Sequence, residues 1–209
     1  MVKNKNFLVG YKLLFGLLGI SAIVTEIATI VERGVFKPLN FFSFFTVQNN
    51  ILVFATFLLS TLVIAVGKNP PWLDKLRGAT TMYIAVVGIG FAVLLSGLEN
   101  TVLTAVPWDN IVLHYIIPIA AVVDLLVDKP KTTLHFRQSL KWLLYPIAYV
   151  LYSLIRGAIT GWYPYPFLDP SRKGYVSIVI TSFALLALCL GLTWIVCKLS
   201  GSKPRITKN

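Results

Sequence analysis

Charged residues are scarce in this chain. Only 13% of its 209 residues are Asp, Glu, Lys or Arg, whereas a soluble domain carries about 25%. This deficit excludes a soluble globular protein and indicates an integral membrane protein. The polar sequence between the apolar stretches is short, so no separate soluble domain is expected.

Residues that bind metals or form disulfides are also few. The two cysteines, Cys189 and Cys197, lie about 12 Å apart along a helix, which excludes a disulfide between them. Together with only two histidines, they provide no spaced set of metal ligands. The chain also lacks a Gly-x-Ser-x-Gly elbow, a His-Glu-x-x-His motif and a phosphate-binding loop. Neither a metal nor a cofactor is expected.

Apolar residues dominate what is present. They make up 56% of the chain, and the mean hydropathy is +0.77. Several stretches approach the roughly 20 residues that are needed to cross a bilayer. They predict an all-α fold in which residues 1–209 form one six-helix transmembrane domain. The predicted spans are Phe7–Ile30, Phe41–Val66, Gly78–Leu98, Ile111–Val127, Trp142–Gly161 and Tyr175–Cys197.

The formal net charge of +11 is distributed unevenly. Most Lys and Arg residues lie on one side of the predicted membrane, and Lys3, Lys5 and Lys12 form the amino-terminal part of that group. Because positive loops mark the cytoplasmic side, both termini are expected there, in a multi-pass protein of the cell membrane. The positive charge therefore indicates topology. Membrane lipids are the expected partners, and no nucleic acid is expected to bind.

Two polar islands, Phe44–Asn50 and Trp108–His114, interrupt the apolar sequence a few residues inside the second and fourth predicted spans. A hydroxyl and an imidazole are costly in hydrocarbon unless they pair with another group or take part in chemistry. Thr46 is a potential nucleophile, and His114 is well suited to take its proton at neutral pH. The islands therefore predict a catalytic Thr–His pair.

The predicted topology places four polar side chains from four helices at one depth. Each lies roughly 6–9 Å below the outer membrane boundary, at 1.5 Å per helical residue. Pro118 follows His114 by four positions and lacks the N–H that would bond the His114 carbonyl, so a kink is expected there. The four aligned residues are Thr46, His114, Arg156 and Glu26.

Helical spacing groups further polar residues with the Thr–His pair. Asn49 and Asn50 share a face with Thr46, and Asn110 shares a face with His114. A polar stripe on the fifth span is expected to point into the bundle or a water-filled cavity: Tyr145, Tyr149, Tyr152, Arg156 and Thr160. The candidate oxyanion-stabilising or substrate-binding residues are Asn49, Asn50, Asn110, Arg156, Tyr152 and Glu26.

Structural interpretations compete with these functional ones. A transmembrane Thr commonly bonds its own helix, and a lone His commonly bonds a neighbouring helix. Glu26 and Arg156 would neutralise each other as a buried ion pair. The spacing of Gly157 and Gly161 is typical of a helix-packing surface.

Two other features have open alternatives. The loop 162–174 contains prolines that exclude a continued helix, and its aromatic residues predict either an interfacial belt or a rigid flap over the site. Asp124 and Arg77 lie at similar depth nearer the cytoplasm. They predict a structural ion pair, with a proton or ion relay as the functional alternative.

At these same residues the chain resembles the androgen-induced membrane protein family. Vertebrate members hydrolyse fatty acid esters of hydroxy fatty acids with an intramembrane Thr and His, so the resemblance implies Thr46 as nucleophile and His114 as base. The chain is shorter than the vertebrate members and carries Asn49, Asn50 and Arg156. In these respects it is more similar to a bacterial branch of the family. The shared features are the six-helix pattern, Phe45-Thr46, Trp108-x-Asn110-x3-His114, and Gly161-Trp162 followed by the run Tyr165-Pro166-Phe167-Leu168-Asp169.

Together, these features predict a threonine-type hydrolase of lipid esters, including esters of hydroxy fatty acids, that works through an acyl-Thr46 intermediate. A site at the predicted depth would receive its substrate sideways from the bilayer. The alternatives are a small-molecule or ion transporter and a non-catalytic lipid-binding scaffold.

Overall fold

The computed structural model describes residues 5–96 and 106–200. In these ranges six helical segments are long and apolar enough to cross a membrane, which confirms the predicted all-α architecture. The predicted end of the third span, Leu98, lies outside the described residues. The six segments are Lys5–Glu32, Phe45–Ala65, Pro71–Leu95, Pro107–Val127, Phe136–Thr160 and Pro170–Leu199. Their helices, with a short one before the second segment, are α1 (Lys5–Glu32), α2 (Pro38–Phe41), α3 (Phe45–Ala65), α4 (Pro71–Gly90), α5 (Pro107–Ile111), α6 (Ile117–Val127), α7 (Phe136–Ser139), α8 (Leu144–Thr160) and α9 (Pro170–Leu199).

The central helix of the bundle is α4. It packs against α3, α6 and α9, while α1 packs against α3. In its most apolar stretch 61% of α4 is buried, whereas the corresponding stretch of α9 is only 17% buried. The outer faces of the peripheral helices are therefore apolar and exposed, as a surrounding of lipid requires.

The second span begins at Phe45, so its predicted start at Phe41 is wrong. The preceding residues form α2 and a turn in which Phe44 is extended, at φ −73° and ψ 128°. The Ser43 carbonyl accepts a hydrogen bond from a tyrosine of α8 (2.9 Å) instead of from a helical N–H. Because the helix is interrupted here, Thr46 lies in the first turn of α3 rather than several residues inside it.

The fourth span is distorted beside His114, in agreement with the kink predicted from Pro118. Its backbone forms a π-helical turn over Val112–Ile116, between α5 and α6. The missing N–H of proline prevents a regular α-helical bond at this point. A second π-helical turn, Phe91–Leu95, extends α4. Such turns are frequent at functional sites.

Buried charges join the first, third and fourth spans in an ion cluster of Lys12, Asp74, Arg77, Asp124 and Asp128. Arg77 donates to Asp124 (2.8 Å), which confirms the predicted ion pair, and it also approaches Asp128 (3.3 Å) and Asp74 (3.6 Å). Lys12 contacts Asp124 and lies 3.3 Å from Asp128. The cluster therefore connects α1, α4 and α6 through charge-assisted hydrogen bonds.

The position of Lys12 corrects the sequence analysis, which counted this residue among the charges that flank the membrane. Its side chain is fully buried inside the bundle. A lysine so close to the start of an apolar stretch has the sequence pattern of a flanking charge. Pairing with Asp124 offsets part of the cost of burying the ammonium group, and this partner is recognisable only in the folded bundle.

Both described chain ends lie at the same end of the bundle. Lys5 donates to the carbonyl of Ala65 (2.9 Å), and Ser200 accepts a hydrogen bond from the Leu134 N–H (3.1 Å). The ion cluster lies toward this end, because Asp74 binds backbone N–H groups of the loop that contains Leu134. The residues of the candidate site lie toward the opposite end, where α3 begins.

Candidate active site

Thr46 lies where backbone N–H groups have no helical carbonyl to bond, since it is in the first turn of α3. Its N–H donates instead to the hydroxyl oxygen of Tyr165 (3.1 Å), and its own hydroxyl lies 3.2 Å from that oxygen. The start of a helix carries partial positive charge. Negative charge that develops beside Thr46 is therefore stabilised by the backbone.

Tyr165 reaches Thr46 from the loop between α8 and α9. The preceding helix ends at Gly161, whose φ of 68° is in the left-handed region that favours glycine. The Tyr165 ring is only 6% exposed, stacks on Phe167 (5.1 Å between ring centres) and meets Phe44 edge-on (5.7 Å). The loop thus inserts over Thr46 as a flap, and the interfacial-belt interpretation is wrong for Tyr165.

The Tyr165 hydroxyl keeps its proton at neutral pH. Burial raises the pKa of Tyr165 above its usual value, and the hydrogen bonds with Thr46 oppose this shift only in part. A protonated phenol is a hydrogen-bond donor and not a base. The hydroxyl is therefore suited to stabilise negative charge next to Thr46.

Gly157 and Gly161 do not form the helix-packing surface that their spacing predicted. A Cβ atom on Gly157 would lie 2.0 Å from the ring of Tyr163, so this glycine makes room for a loop aromatic. Gly161 terminates the helix. The glycine pair therefore seats the flap on α8.

His114 is held in one orientation by two contacts. Its Nδ1 lies 3.0 Å from the backbone carbonyl of Asn110, and its ring stacks on Phe91, with 4.0 Å between ring centres. A carbonyl only accepts hydrogen bonds, so Nδ1 carries the proton and Nε2 of the neutral ring carries the lone pair. This is the tautomer in which Nε2 acts as a base.

Thr46 and His114 line one cavity, although they come from different helices. The cavity has a volume of about 430 Å³, and we call it the polar cavity. The Thr46 hydroxyl bonds Tyr165, and the His114 imidazole bonds Asn110. Among the described residues, no hydrogen bond joins the side chains of Thr46 and His114 to each other. Catalytic hydrogen bonds are often loose before substrate binds. The polar residues of the lining include Glu26, Arg33, Lys37, Asn40, Thr46 and His114.

Two of the three predicted asparagines, Asn49 and Asn50, donate to backbone carbonyls. The amide of Asn50 donates to the carbonyls of Thr46 (2.9 Å) and Leu113 (3.1 Å), and the amide of Asn49 donates to Phe45 (2.7 Å). Asn110 contributes the carbonyl that bonds His114. Asn50 thus joins the backbone at Thr46 to the residue before His114. Both of its N–H groups are occupied, which leaves it a positioning role in this arrangement.

The polar stripe of the fifth span faces the segment 40–48, as its predicted inward orientation requires. This contact holds the turn before α3 and thereby the position of Thr46. Thr160 takes no part in this contact, because its hydroxyl bonds its own helix and its side chain is exposed. Tyr152 is 44% exposed, although its hydroxyl reaches Ser43. The contacts are Tyr145 with Gln48 (2.8 Å), Tyr149 with the Ser43 carbonyl (2.9 Å), Tyr152 with the Ser43 hydroxyl (2.8 Å) and Arg156 with Asn40 (2.7 Å).

Arg156 is positioned by the turn and by the flap. Its guanidinium donates to the side-chain oxygen of Asn40 and lies over the ring of Trp162, 4.8 Å from the ring centre. Glu26 is buried and lines the polar cavity. The structure therefore brings Thr46, His114 and Glu26 to one cavity, and it connects Arg156 to that cavity through Asn40.

A second cavity, of about 390 Å³, shares Thr46 and Tyr165 with the polar cavity. Its lining is formed mainly by aliphatic and aromatic side chains of α4, α8 and α9, and we call it the apolar cavity. Thr46 and Tyr165 line both cavities, whereas His114 lines only the polar one. The candidate nucleophile thus lies at the boundary between a polar and an apolar space.

Sequence reasoning missed Tyr165, Phe91 and Asn40 as site residues. Tyr165 belongs to an aromatic loop motif that was recognised, but its contact with Thr46 joins positions 119 residues apart. The Gly-Phe pair at the end of α4 has no pattern that distinguishes it from ordinary apolar sequence. Asn40 lies in a segment that was predicted to be an outer loop, where a polar residue is unremarkable.

The chain matches no family model, no curated protein and no solved structure. The family resemblance stated above remains a prediction from its motifs.

Proposed function

We propose that this protein is an intramembrane threonine hydrolase of lipid esters. The observation that carries the proposal is that Thr46 and His114, from two helices, line one cavity at the start of α3. A hydroxyl at a helix N-terminus, a neutral imidazole with its lone pair on Nε2 and a protonated phenol are the groups that acyl transfer needs.

The proposed reaction has two steps. In the first, Thr46 Oγ1 attacks the ester carbonyl carbon while His114 Nε2 takes the hydroxyl proton. The tetrahedral intermediate then expels the alcohol, which receives that proton from His114 and leaves acyl-Thr46. In the second step, water attacks the acyl carbon while His114 takes one of its protons. The bond to Thr46 Oγ1 then breaks, the fatty acid departs, and His114 returns the proton to Thr46 Oγ1. The net reaction consumes one ester and one water.

Two donors are available for the negative oxygen of the intermediate. The Thr46 N–H and the Tyr165 hydroxyl lie 3.1 Å apart beside Thr46 Oγ1. An oxyanion would replace the phenol oxygen as the acceptor of the N–H, and the phenol proton would donate to the same oxyanion. Donors positioned in this way stabilise the transition state more than the ground state.

The proposal is tested by labelling with an alkyl fluorophosphonate. An activated hydroxyl displaces fluoride from this reagent and becomes phosphonylated, so we expect one label on Thr46, located by peptide mass spectrometry. Thr46→Ala should abolish the label. The matched control is Thr56→Ala, because Thr56 is also a buried α3 threonine but bonds its own helix (2.7 Å).

Hydrolysis assays complete this test. Purified protein in micelles should release fatty acid from medium- and long-chain esters, and Thr46→Ala protein should not. Labelling at a different residue, or equal hydrolysis by Thr46→Ala and wild type, would refute the threonine mechanism. Movement of ester or ion across liposomes without hydrolysis would instead favour the transporter, and binding without either activity would favour the lipid-binding scaffold.

Tyr165→Phe is expected to lower kcat by about 10²–10³-fold with little change in KM. Phenylalanine keeps the ring contacts with Phe44 and Phe167 and removes only the hydroxyl that donates to the oxyanion. The control is Tyr83→Phe, which also removes a buried hydroxyl, one bonded to the Trp142 carbonyl (2.8 Å), at a site outside both cavities. A similar loss of kcat in both variants would argue against a specific role for Tyr165.

A further inference from the structure

The apolar cavity begins at the candidate nucleophile and ends at lipid. Thr46 and Tyr165 form one side of it, and Val179 and Phe183 of α9 line another side. Those two α9 side chains are 52% and 68% exposed, so the cavity reaches the outer surface of the bundle beside α9. An apolar chain can therefore pass from the bilayer to Thr46 along a lining in which the described residues carry no charge.

The polar cavity has a different lining. Glu26, Arg33 and Lys37 contribute charged groups to it, whereas the described residues that line the apolar cavity include no Asp, Glu, Lys or Arg. A substrate with one apolar part and one more polar part fits across the boundary between the two cavities. The scissile bond would then lie at Thr46, which belongs to both.

The position of His114 determines which cavity holds the alcohol part of the substrate and which holds the acyl part. In the proposed reaction, His114 returns its proton to the departing alcohol, so the alcohol oxygen must lie within reach of the imidazole. His114 lines the polar cavity and not the apolar one. The alcohol part must then occupy the polar cavity, and the acyl part must extend the other way.

We infer that the apolar cavity is the acyl-chain site and that the polar cavity receives the leaving alcohol. This inference rests on the proposed function and adds the orientation of the substrate and the residues that select its acyl chain. The ligand class is an ester of a fatty acid whose chain enters from the bilayer beside α9. Binding a longer chain buries more apolar surface, until the cavity is filled.

Gly90 offers a direct way to shorten the acyl-chain site. It lines the apolar cavity, and a Cβ atom added to it would meet no heavy atom within 4 Å. A larger side chain at this position would occupy the cavity without displacing protein atoms at its Cβ. Replacing glycine in a helix by alanine or leucine also favours the helical conformation, so both variants are expected to fold.

The experiment compares kcat/KM for p-nitrophenyl esters with acyl chains from butanoyl to octadecanoyl. For Gly90→Leu we expect a loss of about 10-fold or more with the long chains and little change with the shortest. Gly90→Ala should show a smaller loss in the same direction. The control is Gly10→Leu, because Gly10 is an exposed glycine of α1 whose added Cβ also meets nothing within 4 Å.

The outcomes separate this inference from the proposed function. If wild type and Gly10→Leu hydrolyse the esters, Thr46→Ala does not, and Gly90→Leu keeps the wild-type chain-length profile, the acyl-chain assignment is overturned and the hydrolase proposal stands. A loss in Gly90→Leu that is equal for all chain lengths also overturns the assignment. If wild type hydrolyses none of the esters, both proposals fail together.

Discussion

Thr46→Ala and His114→Ala are each expected to lower kcat/KM for a lipid ester by about 10⁴-fold or more, and the double variant should lose little beyond either single one. The nucleophile and the base act in one proton transfer, so removal of either partner removes the whole step. Tyr165 and the Thr46 N–H remain in the His114 variant and sustain only residual catalysis. Initial rates of fatty acid release in micelles give the values.

Matched variants separate this effect from damage to the fold. His135→Ala removes the other histidine, which is exposed outside the site, and should change kcat/KM by about twofold or less. Thr46→Ser keeps a hydroxyl and should retain far more activity than Thr46→Ala. If the losses of the two single variants multiplied in the double variant, Thr46 and His114 would not act in one step.

Asp124→Leu is expected to lower the free energy of unfolding by about 3–5 kcal/mol, because it leaves the buried Lys12 and Arg77 with fewer compensating charges. Lys12 is fully buried and Arg77 is 4% exposed, so water does not replace the lost carboxylate. Asp128 and Asp74 compensate only part of the negative charge that is lost with Asp124. Thermal unfolding in detergent micelles should show a midpoint lowered by roughly 10 °C.

Two further variants make this prediction specific. Lys12→Met combined with Asp124→Leu removes a cation and an anion together and should recover much of the lost stability. Asp169→Asn disrupts the exposed ion pair with Arg172 (3.6 Å) and should change stability by less than about 1 kcal/mol. If Asp124→Leu kept wild-type stability but lost activity, the proton-relay interpretation of Asp124 would replace the structural one.

The six spans could be predicted from the sequence because crossing a bilayer imposes a length and an apolar composition that are local properties. The same local signals predicted the distortion near Pro118 and the inward stripe on α8. They placed the start of the second span too early, since four of the five residues in Phe41–Phe45 are phenylalanine. The break at Phe44 depends on contacts between Ser43 and α8, which no local pattern reveals.

In the candidate site, too, local sequence predicted some features, whereas others depend on tertiary contacts. Thr46 and His114 were identifiable because polar groups inside apolar helices require an explanation. Their surroundings were not, because helical spacing and depth identified Asn49, Asn50, Asn110 and Arg156 as oxyanion-stabilising or substrate-binding candidates without revealing their actual partners. In the structure the amides of Asn49 and Asn50 donate to backbone carbonyls and Arg156 donates to Asn40, whereas the donors beside Thr46 are its own N–H and Tyr165.

The sequence by itself determined the membrane-spanning class, the number of spans and the identity of the unusual polar residues, because hydrophobicity and residue type are properties of each segment alone. The tertiary structure decided which of those residues meet. It buried Lys12 against Asp124, inserted Tyr165 over Thr46, and separated a polar from an apolar cavity at that threonine. Each of these contacts joins distant parts of the chain, so it exists only when the helices pack together.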